Sequence, residues 1–242
     1  MTMLKIRGLT KRFTRSGTSA VNDVSLDVER GEIVALLGES GCGKTTILRM
    51  IAGFETLTDG EIWLGDRLVC GRHVFTEPEN RGVGIVFQDY ALFPHMTVLE
   101  NITFGLFRMP KQQQQEKAAS IMELTGLKGL EKRYPHQISG GQKQRVALAR
   151  AMAPEPDIIL FDEPFSNLDT TLRKKMRYDI KEIIQKANLT AIFVTHDTRD
   201  AMILADNVII LKEGFTIQSG RPLDVAMGPA NDYISGLFEG CC

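Results

Sequence analysis

The sequence predicts an α/β fold with a mostly parallel central sheet, and three observations lead there. Short apolar runs of strand length recur along the chain, among them Ile33-Val34-Ala35-Leu36-Leu37 and Ile158-Ile159-Leu160-Phe161, as expected of strands covered on both faces. The first runs straight into Gly38-Glu39-Ser40-Gly41-Cys42-Gly43-Lys44-Thr45, which fits the phosphate-loop pattern G-x-x-x-x-G-K-[ST]. Ile47, Leu48, Ile51 and Ala52 then recur at the spacing of one helix face, so the loop joins a strand to a helix.

The three glycines let the backbone curl until successive N–H groups point at one anion, and the new helix adds its positive end at the same point. Lys44 can reach the β- and γ-phosphates of a nucleotide there, and the Thr45 hydroxyl is placed to ligate Mg²⁺.

A chain of 242 residues, as one large domain or two small ones, buries roughly 75% of its unfolded surface. Lys plus Arg number 29 and Asp plus Glu 30, so the net charge of −1 gives no whole-protein attraction to nucleic acid or an anionic membrane. No apolar stretch approaches the ~20 residues that cross a bilayer, and the N-terminus has no signal-peptide core, which predicts a cytoplasmic protein. The four cysteines, Cys42, Cys70, Cys241 and Cys242, are too scattered for a disulfide framework or a zinc site, and the terminal pair matches no lipidation pattern.

Leu4, Ile6 and Leu9, then Val21, Val24, Leu26 and Val28, alternate as strands around the turn-rich stretch 14–18. Phe13, at the edge of that turn, reads alone as a strand-edge core residue; with a phosphate loop following, stacking on an adenine is the better assignment. Gly53 stops the first helix, and residues 60–66 read as a strand entering a tight turn. Pro78-Glu79-Asn80-Arg81-Gly82 breaks regularity before Val83-Gly84-Ile85-Val86-Phe87, a buried strand that delivers Gln88 to its end, where an amide oxygen can bind Mg²⁺ or the attacking water. Tyr90, Leu92, Phe93, Pro94 and Met96 form an apolar cluster in a loop, which composition alone assigns equally to core or to a docking surface.

Residues 98–134 read as helical, broken by Pro110, with the polar repeat 112–115 as a solvated face. Ile138-Ser139-Gly140-Gly141-Gln142 opens another helix. Ser139 is a good N-cap, but a cap needs no glycine pair, and two glycines cost ~1 kcal/mol each relative to Ala. They are therefore read as letting a ligand approach the backbone, which makes a second anion site.

The run 158–161 ends in Asp162-Glu163, at the strand edge where ligands bind in such sheets. Asp162 is suited to hold Mg²⁺ through a coordinated water, and Glu163 to polarise the water that attacks a γ-phosphate. Ser166-Asn167-Leu168-Asp169 caps a long helix whose inner face carries Leu172, Met176, Ile180, Ile183 and Ala187, with Lys174, Arg177 and Lys181 on the solvated side. A further strand, Ala191-Ile192-Phe193-Val194-Thr195, ends at His196, whose imidazole N–H can bond a γ-phosphate. Strands near 208–211 and 215–219 and helical pieces near 222–227 and 232–237 close the chain.

Six motifs in order, GESGCGKTT at 38–46, VFQDYALFP around Gln88, ISGGQ at 138–142, IILFDE at 158–163, SNLD at 166–169 and VTHD around His196, make the sequence resemble the ATP-binding subunits of ABC transporters over essentially its whole length. The resemblance implies a P-loop NTPase core (1–88 and 158–242), an N-terminal antiparallel β subdomain and an inserted α-helical subdomain at about 89–157. It implies ATP and Mg²⁺ as ligands and a second copy of the chain, paired head to tail, as partner. Phe13 would stack on adenine, and Gly38, Glu39, Ser40, Gly41, Cys42, Gly43, Lys44, Thr45 and Thr46 would form the phosphate loop. Thr45 and Gln88 would ligate the metal, with Asp162 behind a water. Glu163 would be the general base, His196 the γ-phosphate sensor and Asp169 a contact across the dimer, while Ser139, Gly140, Gly141 and Gln142 would complete the partner's site.

The same resemblance favours docking of integral-membrane permease subunits at the cluster Tyr90, Leu92, Phe93, Pro94 and Met96, on the cytoplasmic face of the membrane, with a solute-binding protein as an indirect partner and no nucleic acid. Residues 78–81 and TVLENITFGL at 97–106 resemble the importer branch for ferric iron, sulfate, polyamines and sugars, with the ferric-iron type weakly favoured. Glu39 and Ile138 depart from the family's common Pro and Leu without expected consequence, and no C-terminal regulatory domain is expected. A small-molecule kinase or GTPase would not need ISGGQ, and no N-K-x-D guanine-reading motif is present. A soluble ABC protein acting on ribosomes or nucleic acid, or an exporter ATPase, is the alternative within the family.

Overall fold

In the computed structural model, which describes residues 1–13 and 19–239, the apolar runs assemble into two sheets. β1 (Thr2–Arg12) and β2 (Ser19–Glu29) pair as antiparallel neighbours. After β3 (Ile33–Leu37) and α1 (Lys44–Ala52) the chain returns to the first sheet as β4 (Asp59–Leu64), β5 (Arg67–Gly71) and β6 (Val74–Phe75), giving the order β2-β1-β4-β5-β6. Of this sheet the sequence reading lacks β5 and β6, strands of five and two residues at one edge, too short to show a period.

β7 (Val83–Val86) joins the second sheet. Between it and β8 (Ile158–Asp162) come α2 (Val98–Thr103), α3 (Lys111–Leu124) and α4 (Gly140–Met152). The expected helical stretch 98–134 is therefore too long. α3 gives way to turns after Leu124, where Gly126 takes a positive φ of 66°, and only a 3₁₀ turn at Pro135–Gln137 follows before α4. These helices have their own core of Val98, Ile102, Ala118, Met122, Leu127 and Val146.

α5 (Thr170–Lys186), β9 (Thr190–Thr195), α6 (Thr198–Leu204), β10 (Asn207–Lys212), β11 (Phe215–Gly220), α7 (Pro222–Met227) and α8 (Asp232–Phe238) complete the chain. The second sheet has the order β11-β10-β3-β9-β8-β7; all neighbours are parallel except β11. β3 and β9 are buried at every position because both faces are covered. Val34, Leu36, Leu160, Ile192 and Val194 face the core shared with α1 and the antiparallel sheet; Ile159, Phe161, Ala191 and Phe193 face α4 and α5.

The register fixes the site. Leu37 pairs with Thr195, Asp162 with Val194 and Val86 with Phe161, so four parallel strands end level. Residues 38, 88, 163 and 196 thereby emerge on one edge.

Candidate nucleotide site

The phosphate loop takes its shape from glycine. Gly38, Gly41 and Gly43 have φ of 154°, 84° and 105°. A Cβ on Gly38 would stand 2.3 Å from the Leu211 carbonyl and one on Gly43 2.4 Å from the Ala20 carbonyl, so those two are held by packing as well as by φ. At Gly41 nothing lies within 4 Å of that position, and the loop's mouth is open there. Lys44 is buried, its ammonium donating to the carbonyls of Gly38 and Glu39 at 2.7 Å each. Cys42 is buried, its Sγ 3.6 Å from the Lys44 ammonium. Glu39 and Ser40 are exposed, and Thr46 is half-buried in the first turn of α1.

Thr45 Oγ1 donates to Asp162 Oδ1 at 3.2 Å, which joins the loop to the end of β8. Burial pushes the Asp162 carboxyl above the ordinary aspartate range, the Thr45 bond pulls it back, and the Glu163 charge raises it again. Hydroxyl and carboxylate oxygens suit a small hard cation, and so few protein donors suit Mg²⁺, which keeps most of its other positions for phosphate and water. Gln88 is exposed one residue past Phe87, and its carbonyl accepts from Asn167 Nδ2 at 2.8 Å.

Glu163 has φ +45°, an unfavourable region for a non-glycine residue. It is held there by its N–H to the Val194 carbonyl at 3.0 Å and by its own carbonyl accepting from Ser166 Oγ at 2.9 Å. Its Oε2 lies 3.2 Å from Nδ1 of His196, whose side chain is half exposed. A carboxylate and an imidazole thus meet beside the phosphate loop, where one can accept a proton from water and the other can donate to an anion.

Phe13 is 61% exposed, and Lys11 Nζ lies 5.2 Å from its ring centre. It is a surface aromatic, available for stacking, and not the strand-edge core residue that the sequence also allowed.

Ser139 and Gln142 form a reciprocal capping box: Ser139 Oγ accepts from Gln142 N at 3.3 Å and Ser139 N donates to Gln142 Oε1 at 2.8 Å. The glycine pair has a packing explanation that sequence reasoning missed. A Cβ on Gly141 would meet Met176 Sδ at 3.1 Å and Leu172 Cδ1 at 3.3 Å, and one on Gly140 would meet Leu168 Cδ2 at 3.3 Å. The glycines let α4 approach α5 closely. Asp169 caps α5 through Leu172 N at 3.0 Å, as expected. Among the described residues no hydrogen bond or ion pair joins residues 139–142 to residues 38–46; the starts of α1 and α4 are separate within one chain.

Two further groups were not legible. Arg81, none of it exposed, reaches the C-terminal carbonyls of α1. Arg177, assigned to a solvated face, is buried and bonded to Asp197 and Asp200 beside His196; Lys181 donates to the Ile203 carbonyl at 2.5 Å. In the apolar cluster Tyr90 is buried while Pro94 is exposed and Phe93 half-buried, the Phe93 ring 4.4 Å from that of Phe104, so the cluster is part core and part surface.

A sequence model of the family described as ABC transporter matches residues 21–166. The chain is 47% identical, over 96% of its length and 67% of the relative's, to the sulfate/thiosulfate import ATP-binding protein CysA 1 of Agrobacterium fabrum. It is 44% identical, over 98% of its length and 64% of the relative's, to the sn-glycerol-3-phosphate import ATP-binding protein UgpC of Ralstonia nicotianae. The chain thus spans about two thirds of the length of these relatives. Among solved structures, a dimeric ATP-binding cassette in a post-hydrolysis state bound to ADP and Pi superimposes with a TM-score of 0.76 at 30% identity, covering 91% of this chain and 99% of that one.

Proposed function

The chain belongs to the ABC transporter family, as an ATPase of the ATP-binding cassette type, and we propose that it is the energy-coupling subunit of a membrane importer whose two copies pair head to tail around two MgATP. The observation that carries this reading is the level ending of β3, β7, β8 and β9, which gathers the phosphate loop, Gln88, Asp162-Glu163 and His196 at one edge. Residues 139–142 stand apart on α4. The head-to-tail pair answers what that second helix start is for: Ser139, Gly140, Gly141 and Gln142 close over the nucleotide held by the partner, with Asp169 at the junction.

In this reading residues 38–46 bind the phosphates through main-chain N–H groups and Lys44, and Phe13 stacks on the adenine. Thr45, Gln88 and Asp162 hold Mg²⁺, which when bound neutralises charge on the phosphates. Glu163 takes the proton of the attacking water; its strained backbone and its contact with His196 keep the carboxylate aimed. His196 donates to the γ-phosphate. The core spans 1–88 and 158–242 and the helical subdomain about 89–157. Gln88 leads into Phe93, Pro94 and Met96, where permease subunits dock.

No helix is long and apolar enough to cross a membrane among the described residues. The protein works peripherally, at the cytoplasmic face, through those permeases and, beyond them, a solute-binding protein. The names of the two relatives favour an oxyanion such as sulfate or an organic phosphate as solute. Ferric iron, favoured by the sequence reading, finds no support among them.

The test is Glu163→Gln. Turnover should fall at least about 100-fold while MgATP binding persists and ATP shifts the protein to a dimer in size-exclusion chromatography. Unimpaired hydrolysis would remove Glu163 as the base.

A further inference from the structure

The turn that carries His196 is clamped from both sides by one buried side chain. Arg177, on α5 and 4% exposed, donates through Nε to Asp200 Oδ1 at 2.5 Å and through Nη2 to Asp197 Oδ2 at 2.6 Å. Asp200 Oδ2 in turn accepts from Thr195 Oγ1 at 2.5 Å, and the same hydroxyl oxygen accepts from Asp197 N at 3.0 Å. Asp197 also caps α6, its Oδ1 accepting from Arg199 N at 2.9 Å. Of the chain neighbours of His196, Asp197 is thus held by Arg177 directly and Thr195 through Asp200, while the imidazole itself is half exposed and touches Glu163.

α5 has other attachments. One turn before Arg177, Arg173 donates to the carbonyl of Leu168 at 3.0 Å and lies 3.9 Å from Asp197, so it links the segment ending in Asp169 to the His196 turn. Leu172 and Met176 of α5 lie against Gly141. A displacement of Asp169 or of the α4 start thus reaches His196 through one rigid helix.

We propose that Arg177 is a positioning residue for hydrolysis: it sets the place of His196 opposite Glu163 and transmits to it the position of the α4 and α5 starts. This rests on the role of His196 given above. The planar guanidinium fork matters because it serves two carboxylates from two nitrogens in fixed directions; an ammonium is a point charge that keeps the net charge but not both bonds.

Arg177→Lys tests it. The kcat for ATP hydrolysis should fall by about 10- to 100-fold, as for a small misplacement of a reacting group, with the Kd for MgATP changed by less than about threefold. The imidazole NMR signals of His196, assigned by their loss in His196→Ala, should shift or broaden in Arg177→Lys. Asp200→Asn, which keeps shape and removes one charge, should do the same to a smaller degree and carries the test if the lysine variant does not fold. Hydrolysis within about twofold of the parent, or lost activity with His196 signals superimposable on the parent's, would overturn the proposal. Parent-level hydrolysis by His196→Ala would instead overturn the role of His196 on which it rests.

Discussion

Arg81 Nη1 donates to the Met50 carbonyl at 2.7 Å, tying the residue two positions before β7 to the last turn of the phosphate-loop helix. The same nitrogen donates to the Ile51 carbonyl at 2.9 Å and Nε to the Thr76 carbonyl at 2.7 Å. The Phe75 ring centre lies 5.0 Å from the guanidinium. Carbonyls at a helix C-terminus lack intrahelical partners and carry partial negative charge, so a cation there both satisfies and neutralises them. Burial lowers the Arg81 pKa, but the guanidinium remains charged.

Arg81→Met should therefore destabilise the protein by about 2–4 kcal/mol, because two buried carbonyls and a part-buried one lose a charged donor. Denaturant titration reads this directly. Loss below about 1 kcal/mol would mean that the carbonyls find other partners.

Lys11 Nζ lies 2.6 Å from Glu55 Oε1 in a mostly buried pair. The lysine's hydrogen bond holds the Glu55 carboxyl below the ordinary glutamate value of 4.5, against the opposing effect of burial. A depressed carboxylate contributes stability that is fully present above its unfolded pKa and lost as pH falls through the folded one. Glu55→Gln should melt below the parent at neutral pH, and the gap should close in acid below 4.5. A gap that stays constant down to about pH 3 would contradict the pairing.

Gly141→Ala should cost about 1–2 kcal/mol in denaturant unfolding, although alanine is the better helix former by ~1 kcal/mol, because the new methyl presses on Met176 and Leu172. In a Met176→Ala background the same Gly141→Ala change should cost less, because the sulfur it presses on is gone. A stabilised Gly141→Ala would show that α4 and α5 have room.

The phosphate loop and the strand ends were legible because each depends on local pattern: apolar runs of strand length, and glycines where φ must be positive. The six ordered motifs carried the rest. What escaped were groups whose partners lie far away in the chain. Arg177 shares a helical stripe with Lys174, which is exposed, and nothing local distinguishes the two; Arg177 is buried because Asp197 and Asp200, 20 and 23 residues on, meet it. Arg81 looked like part of an irregular stretch because its acceptors are the carbonyls of α1, some 30 residues earlier. Gly141 looked like a ligand contact because the facing α5 side chains are visible only in the fold. A buried Arg followed downstream by an Asp pair after a strand is a weak signal that pattern reading would have to weigh against many solvated faces.

The central claim is that each catalytic centre is divided between two chains, and mixing two inactive variants tests it most directly. Lys44→Ala disables the phosphate loop and leaves residues 139–142 intact; Ser139→Arg does the reverse. Each alone should be nearly inactive. Mixed in equal amounts, half of the pairs are mixed and each mixed pair has one intact centre of two, so about a quarter of the parent's hydrolysis should return. A mixture as inactive as its components, or parent-level hydrolysis by Ser139→Arg alone, would contradict the account.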